Sequence, residues 1–273
     1  MRLLPMSDLL KQAFKNKYGV PSLNIGNLET IKVALTVANE LRSPVIIAVY
    51  YGDGYNSGFR TLVDIVHAVG ADMDLDVAIH LDHGANFEHV TKAIQAGFTS
   101  VMYDGSNLPL EENISNTKRV VEIGKYANVT VEAEVGTLGS ESLTDPDAAV
   151  RLAETGIDCL AVAIGNAHGF YKGEPRLDFE RLGEIVKRVG IPIVLHGGTG
   201  IPKEQIQRAI TMGIAKINFG TGHRDRFVSG MKAYMKANPE DIELRNIFAA
   251  ASEQMAEAVR DCISLCMSAG KCR

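Results

Sequence analysis

No apolar run in the chain approaches the roughly 20 residues that a membrane-spanning helix needs, so no membrane role is expected. Basic charge is not in excess either. The 28 Lys and Arg stand against 33 Asp and Glu, a formal net charge of -5, and no basic stripe points to nucleic acid. The 4 cysteines include no CxxC pair and make no disulfide framework. Cys159 lies inside an expected core strand, where a reduced, buried thiol is the simpler reading. Cys262 and Cys266 are spaced i, i+4 on a helix, but no further partner supports a metal there. No linker or low-complexity segment is present. The opening residues, Met1-Arg-Leu-Leu-Pro-Met-Ser-Asp8, are too poor in apolar side chains for a signal peptide, and a soluble, cytoplasmic protein is expected.

What is present is a recurrence of short, nearly continuous apolar segments, the pattern of strands buried on both faces. They span 20–25, 44–50, 77–83, 100–104, 130–136, 159–165, 192–196 and 215–220. Helical patterns lie between them. One covers 28–41 behind Asn27 as N-cap, one covers 87–96 and stops at Gly97, one opens at Asp145-Pro146, and one covers 203–212 and stops at Gly213. Strand then helix, eight times over, indicates a (β/α)8 TIM barrel occupying 1–273 as a single domain. An open doubly wound sheet is disfavoured because no GxGxxG turn follows the first strand. The tail 238–273 is expected to be helical and amphipathic, packed across the barrel or at a subunit contact.

Active sites of this fold sit at the C-terminal strand ends. His83, His168 and His196 each fall just past one such end. Three neutral imidazoles converging there make an open metal site with room for substrate. Asp82, beside the first histidine, is placed to move a proton. His80 shares a face with Asp82 and is read as a support residue; His67, His89 and His223 are read as solvated or structural, with His223 retained as a minor candidate for substrate contact. Glu132 and Glu134 share one face of the fifth strand, and a buried carboxylate is costly unless paired or metal-bound. Glu134, nearer the rim, is the candidate metal ligand or anchor. Two glycine–threonine turns, His196-Gly-Gly-Thr-Gly200 and Asn218-Phe-Gly-Thr-Gly222, follow the seventh and eighth strands, the customary phosphate site of the fold. Arg224 lies within a turn of Thr221, and Gly169 and Lys172 follow the sixth strand.

These motifs resemble, nearly end to end, the class II metal-dependent ketose-bisphosphate aldolases of the fructose- and tagatose-bisphosphate type. The likeness rests on Ser22-Leu-Asn-Ile25, His80-Leu-Asp-His-Gly84, Tyr103-Asp-Gly-Ser106, Val131-Glu-Ala-Glu-Val-Gly136, Ala167-His-Gly169 with Tyr171-Lys-Gly-Glu-Pro175, Leu195-His-Gly-Gly-Thr-Gly200 and Ser268-Ala-Gly-Lys271. The resemblance implies zinc on His83, His168 and His196, with Glu134 near a second metal position, and a sodium or potassium ion near the phosphate. It implies Asp82 as the acid/base at the hydroxyl of the bond made or broken. It implies a phosphate and dihydroxyacetone-phosphate site at Asn24, Gly169, Lys172, Gly197, Thr199, Asn218 and Thr221, with Gly220 against the sugar and Arg224 toward the far phosphate. The implied reaction is reversible cleavage of a phosphorylated ketose to dihydroxyacetone phosphate and an aldehyde through a metal-stabilised enediolate. The implied assembly is a homodimer or homotetramer.

The chain departs from the family pattern in three places. The loop after the fifth strand looks shortened, leaving Glu141 as the candidate for the acid that protonates the enediolate. Tyr50 and Tyr51 stand where fructose-type relatives commonly end the second strand with serine. Gly220 replaces the aspartate or alanine of the fructose and tagatose types. Two other readings are weighed: a sugar-phosphate-binding partner or regulatory subunit with little turnover, and a metal-free phosphosugar isomerase on the same fold.

Overall fold

The computed structural model describes residues 1–136 and 143–272. Glu141, the expected loop acid, lies outside the described residues. Aliphatic and β-branched runs make the strands, and amphipathic segments with capped ends make the helices between them. In chain order these are β1 (Arg2–Leu3), α1 (Met6–Asn16), β2 (Val20–Asn24), α2 (Leu28–Glu40), β3 (Val45–Tyr50), α3 (Tyr51–Ser57), α4 (Phe59–Gly70), β4 (Asp76–Gly84), α5 (Phe87–Ala96) and β5 (Ser100–Tyr103). They continue with α6 (Leu110–Ala127), β6 (Thr130–Val135), α7 (Pro146–Ala153), β7 (Cys159–Val162), α8 (Phe179–Val189), β8 (Ile193–Leu195), α9 (Lys203–Met212), β9 (Ile214–Phe219), α10 (Thr221–Ala237) and α11 (Leu244–Cys266).

Strands β2 to β9 pair in parallel with their chain neighbours, and β2 pairs again with β9, so the sheet closes into an eight-stranded (β/α)8 barrel. Closure aligns Val20 with Lys216 and Ser22 with Asn218. All eight expected strands are present, with ends shifted by a few residues at most. The helix signals hold as well. Asn27 and Thr30 form a reciprocal capping box on α2, Asp145 caps α7 with Pro146 behind it, and Gly97 ends α5 in the left-handed region.

Two parts of the chain differ from expectation. The N-terminal residues form β1, which pairs with β4, and α1, which lies across the N-terminal mouth of the barrel. Met6, Leu9, Leu10 and Ala13 of α1 pack on Val20, Ile46, Ala78, Cys159, Ala161, Val194 and Ala215, the lowest inward layer of the strands. The tail is helical only over Leu244–Cys266, and that helix packs against α10 and α2 on the outside of the barrel wall. Cys262 and Cys266 are buried there, their thiols pushed up by burial, which suits packing.

The helix across the N-terminal mouth leaves the opposite rim as the open end. Leu10 has none of its surface exposed. Leu10→Ala is expected to cost about 2–5 kcal/mol of stability by leaving a cavity under the barrel. Urea unfolding would measure it, and a loss below about 1 kcal/mol would mean that α1 does not seal the core.

Candidate active site

The site begins with a backbone irregularity. Alternation along a strand would turn Asp82 and His83 to opposite faces. The β4–β5 register shifts between Leu81 and Gly84, and His83 adopts φ 52°, in the left-handed region. This kink lets both side chains reach the same rim. Asp82 is held from both sides: Asn24 Nδ2 donates to Oδ2 at 2.7 Å, and Asn218 Nδ2 donates to Oδ1 at 2.9 Å. Burial would raise its carboxyl, but His83, His196 and Lys216 outweigh burial and hold it well below the usual carboxylate range.

The three expected histidines converge. Ring centroids lie 4.8 Å apart for His83 and His196, 5.0 Å for His83 and His168, and 5.8 Å for His168 and His196. One nitrogen of each falls within 4.8 Å of the others. The outer nitrogens of two rings are already committed. His83 Nδ1 lies 2.7 Å from Asp104 Oδ2, and His196 Nε2 lies 3.0 Å from Glu132 Oε1. Each carboxylate accepts the ring proton, which is how proteins orient metal-binding imidazoles. The remaining nitrogens, His83 Nε2 and His196 Nδ1, face each other at 3.1 Å. Lone pairs that close need a proton or a cation between them. Glu134 adds a second sign of a cation. Its Oε2 is buried without a hydrogen-bond partner and lies 3.8 Å from His196 Nδ1. Burial first, then Asp104, pushes its carboxyl up to about 8. His83, Asp104 and Glu134 form a second group able to hold a metal. The donor set therefore fits a divalent metal with nitrogen and carboxylate ligands.

A cavity of about 470 Å³ opens over these groups. Its lining includes Asn24, Asp82, His83, His168, Gly169, Gly197, Thr199, Asn218, Gly220, Thr221 and Arg224, all expected from the sequence, together with Tyr50. Gly197 is at φ 66°, and a Cβ there would sit 2.0 Å from the Ala167 carbonyl oxygen, so only glycine fits. Thr199 Oγ1 accepts from the Gly222 backbone N–H at 3.2 Å, tying the two glycine–threonine turns together at the start of α10. The N-terminus of α10 and the Arg224 guanidinium both favour an anion here. Arg224 folds back over Gly220, its Nε donating to the Gly220 carbonyl at 2.8 Å. Lys172 is exposed and does not line the cavity.

A family model described as fructose-bisphosphate aldolase class-II matches residues 4–271. The chain belongs to the class-II fructose-bisphosphate aldolase family. It is therefore a lyase of the aldolase class. A probable fructose-bisphosphate aldolase of Bacillus subtilis is 43% identical over 272 residues, covering 95% of each chain. A fructose-bisphosphate aldolase of Geobacillus stearothermophilus is 45% identical over 260 residues, covering 90% of this chain and 91% of its own. Among solved structures, the YdjI aldolase of Escherichia coli K12 superposes with a TM-score of 0.90 at 33% identity, covering 100% of both chains.

The other histidines of this aldolase are accounted for structurally. His223 is buried and its Nε2 donates to the Asn24 carbonyl at 2.7 Å, so it braces Asn24 from behind. His89 stacks on Tyr51 at 4.4 Å, and His67 is exposed on α4. His80 Nδ1 meets Ser100 Oγ at 2.7 Å in the barrel interior. Two functional neighbours escaped the sequence reading. Asp104, which holds His83, sits inside a motif that had been noted only as a likeness. Lys216, which pairs with Glu132, is a lysine in the middle of an apolar strand, and that misplacement was the available signal.

Burial pushes His80 down to about 3 and His223 down to about 4. Both return to about 6.5 when the chain unfolds. Below that pH the unfolded chain takes up protons that the folded chain refuses, so the contribution of these two histidines is full above about pH 6.5 and is lost as pH falls toward about 4. Urea midpoints of the metal-free protein should fall over that window, at up to about 1.4 kcal/mol per pH unit per histidine. A flat profile would contradict the buried neutral state.

Proposed function

We propose that this class-II aldolase reversibly cleaves a ketose bisphosphate, of the fructose or tagatose kind, to dihydroxyacetone phosphate and an aldehyde, with zinc held by His83, His168 and His196. The observation that carries the reading is the meeting of three imidazole nitrogens, the doubly held Asp82 and the glycine–threonine cradle around one cavity. When bound, the metal supplies Lewis-acid stabilisation of the negative charge that develops as the carbon–carbon bond breaks.

The protein's own groups do the rest. Gly197, Thr199, Thr221, Gly169 and the first turn of α10 bind one phosphate, and Arg224 faces the other end of the substrate. Asn24 and Asn218 aim the Asp82 carboxylate, which accepts the hydroxyl proton during cleavage and returns it during condensation. Gly220 leaves space against the sugar, and Tyr50 borders the cavity at the end of β3. Glu134 stands ready for a second metal position. Glu141 is retained as the acid that returns a proton to carbon. No lysine is available for a Schiff base. Lys172 lies away from the cavity, and Lys216 is locked to Glu132 at 2.7 Å beneath it. Part of this reading comes from the family alone: a sodium or potassium ion beside the phosphate and a homodimer or homotetramer. The cytoplasmic setting and the single domain rest on the sequence pattern. No helix of the described residues is long and apolar enough to cross a membrane. A regulatory subunit is not favoured, since such a protein has no use for an acid/base held by two amides. A metal-free isomerase has no use for three converging imidazoles.

The deciding experiment is exchange of the hydroxymethyl proton of dihydroxyacetone phosphate in heavy water, which needs no knowledge of the aldehyde. Stereospecific exchange that a chelator abolishes is expected; exchange that survives chelation would overturn the metal-dependent reading. Asp82→Ala should lower cleavage by about 10²–10⁴-fold with zinc still bound. Proton exchange should suffer less, because it involves no aldehyde hydroxyl. Undiminished cleavage would remove Asp82 from its role.

A further inference from the structure

Below the rim lies a layer of polar side chains that the reaction itself does not use. Three strands each give one residue to this layer and, two positions further on, one residue to the rim: His80 and Asp82 on β4, Glu132 and Glu134 on β6, Lys216 and Asn218 on β9. In a barrel, inward residues stack in such layers. His80, Glu132 and Lys216 have none of their surface exposed. A buried ammonium survives only if it is paired and all its neighbours are hydrogen-bonded. Here Lys216 Nζ lies 2.7 Å from Glu132 Oε2 and 3.2 Å from His80 Nε2.

Lysine and carboxylate chemistry together fix the directions of the bonds in the cluster. An ammonium only donates. His80 Nε2 must therefore accept from it, which places the His80 proton on Nδ1, where it donates to Ser100 Oγ at 2.7 Å. The Ser100 hydroxyl in turn points to Met6 Sδ at 3.5 Å, on α1. On the other side, Lys216 occupies Glu132 Oε2 and leaves Oε1 to accept from His196 Nε2 at 3.0 Å. His196 therefore carries its proton on Nε2 and presents a lone pair on Nδ1, the atom 3.1 Å from His83 Nε2. The carboxylate, which only accepts, sets the tautomer of this rim imidazole, and the lysine holds that carboxylate without touching the ring.

We propose that Lys216 is a positioning residue for the metal centre: by holding Glu132 it fixes the proton of His196 on Nε2 and presents Nδ1 to the metal. This rests on the zinc reading above. Without the ammonium, Glu132 Oε2 keeps only the weak Cys159 thiol donor at 3.7 Å, and the carboxylate can turn away from His196. A glutamine at 132 in a chain lacking the lysine can still accept from His196 Nε2 without leaving a charge unpaired in the barrel.

The test compares the full chain with Lys216→Met and with the double variant Lys216→Met/Glu132→Gln. Zinc affinity is read by competition with a chromophoric chelator. The His196 tautomer is read in the metal-free protein by long-range proton–nitrogen correlation. Lys216→Met should weaken zinc binding by about 10–100-fold and remove the single Nε2–H form of His196. The double variant should recover most of the affinity and that tautomer. A merely structural ion pair would lower the melting temperature of metal-free Lys216→Met and leave zinc affinity unchanged, and that result would overturn the proposal. If Lys216→Met does not fold, the double variant decides. Zinc affinity within about tenfold of the original chain, with His196 on Nε2, supports the role, and a folded double variant lacking either overturns it. An original chain that binds no zinc would remove the metal reading first, and the proposal with it.

Discussion

A lysine and a glutamate sealed inside a barrel constrain each other more tightly than any aliphatic pair could. Lys216 and Glu132 sit on strands that are not neighbours, so their contact spans the interior and sets how β9 and β6 face each other. Aliphatic side chains in the same volume would often be as stabilising or more so, because taking two charges out of water is costly. What the pair supplies is direction. Below it the inward layer is hydrocarbon from Val20, Ile46, Ala78 and Val194, and above it lies the solvent-open cavity. The charged layer is the boundary between packing and chemistry, and through Glu132 it reaches the rim at His196.

The rim itself is a set of oriented acceptors. Asp104 and Glu132 accept the outward protons of His83 and His196, and Asp82 accepts from the Asn24 and Asn218 amides on its two oxygens. His223 then braces Asn24 through its backbone. The backbone gives way at His83, whose left-handed conformation costs of order 1–3 kcal/mol and sets two adjacent residues on one site.

Much of this was legible in the chain before any coordinates. Continuous apolar runs gave away strands buried on both faces, and histidines at three of their ends had no reason to be there as core residues. Glycines after the last two strands marked a tightly constrained backbone, and at Gly197 the constraint is the protein's own: no Cβ fits beside the Ala167 carbonyl. What was not legible shares a physical cause. Lys172 follows a strand end just as Thr199 does, but its side chain is exposed outside the cavity lining, and loop direction is not a local property of sequence. Lys216 was hidden because its partner lies 84 positions away, and only the closed barrel brings the two together. The N-terminal strand of 2 residues is too short to show any periodicity.

The seam between β2 and β9 carries a consequence for how the polypeptide is made. Val20 leaves the ribosome early, and its pairing partner Lys216 follows only after most of the chain has been synthesised. Until then one side of β2 is a bare edge of unpaired backbone groups, and the helix that closes the bottom has no finished mouth to seat in. Contacts this distant in sequence form slowly, and an exposed strand edge invites pairing with other chains in the meantime. The nascent protein is therefore most vulnerable just before its last strand arrives, and its yield in a crowded cell depends on how well that waiting edge is shielded.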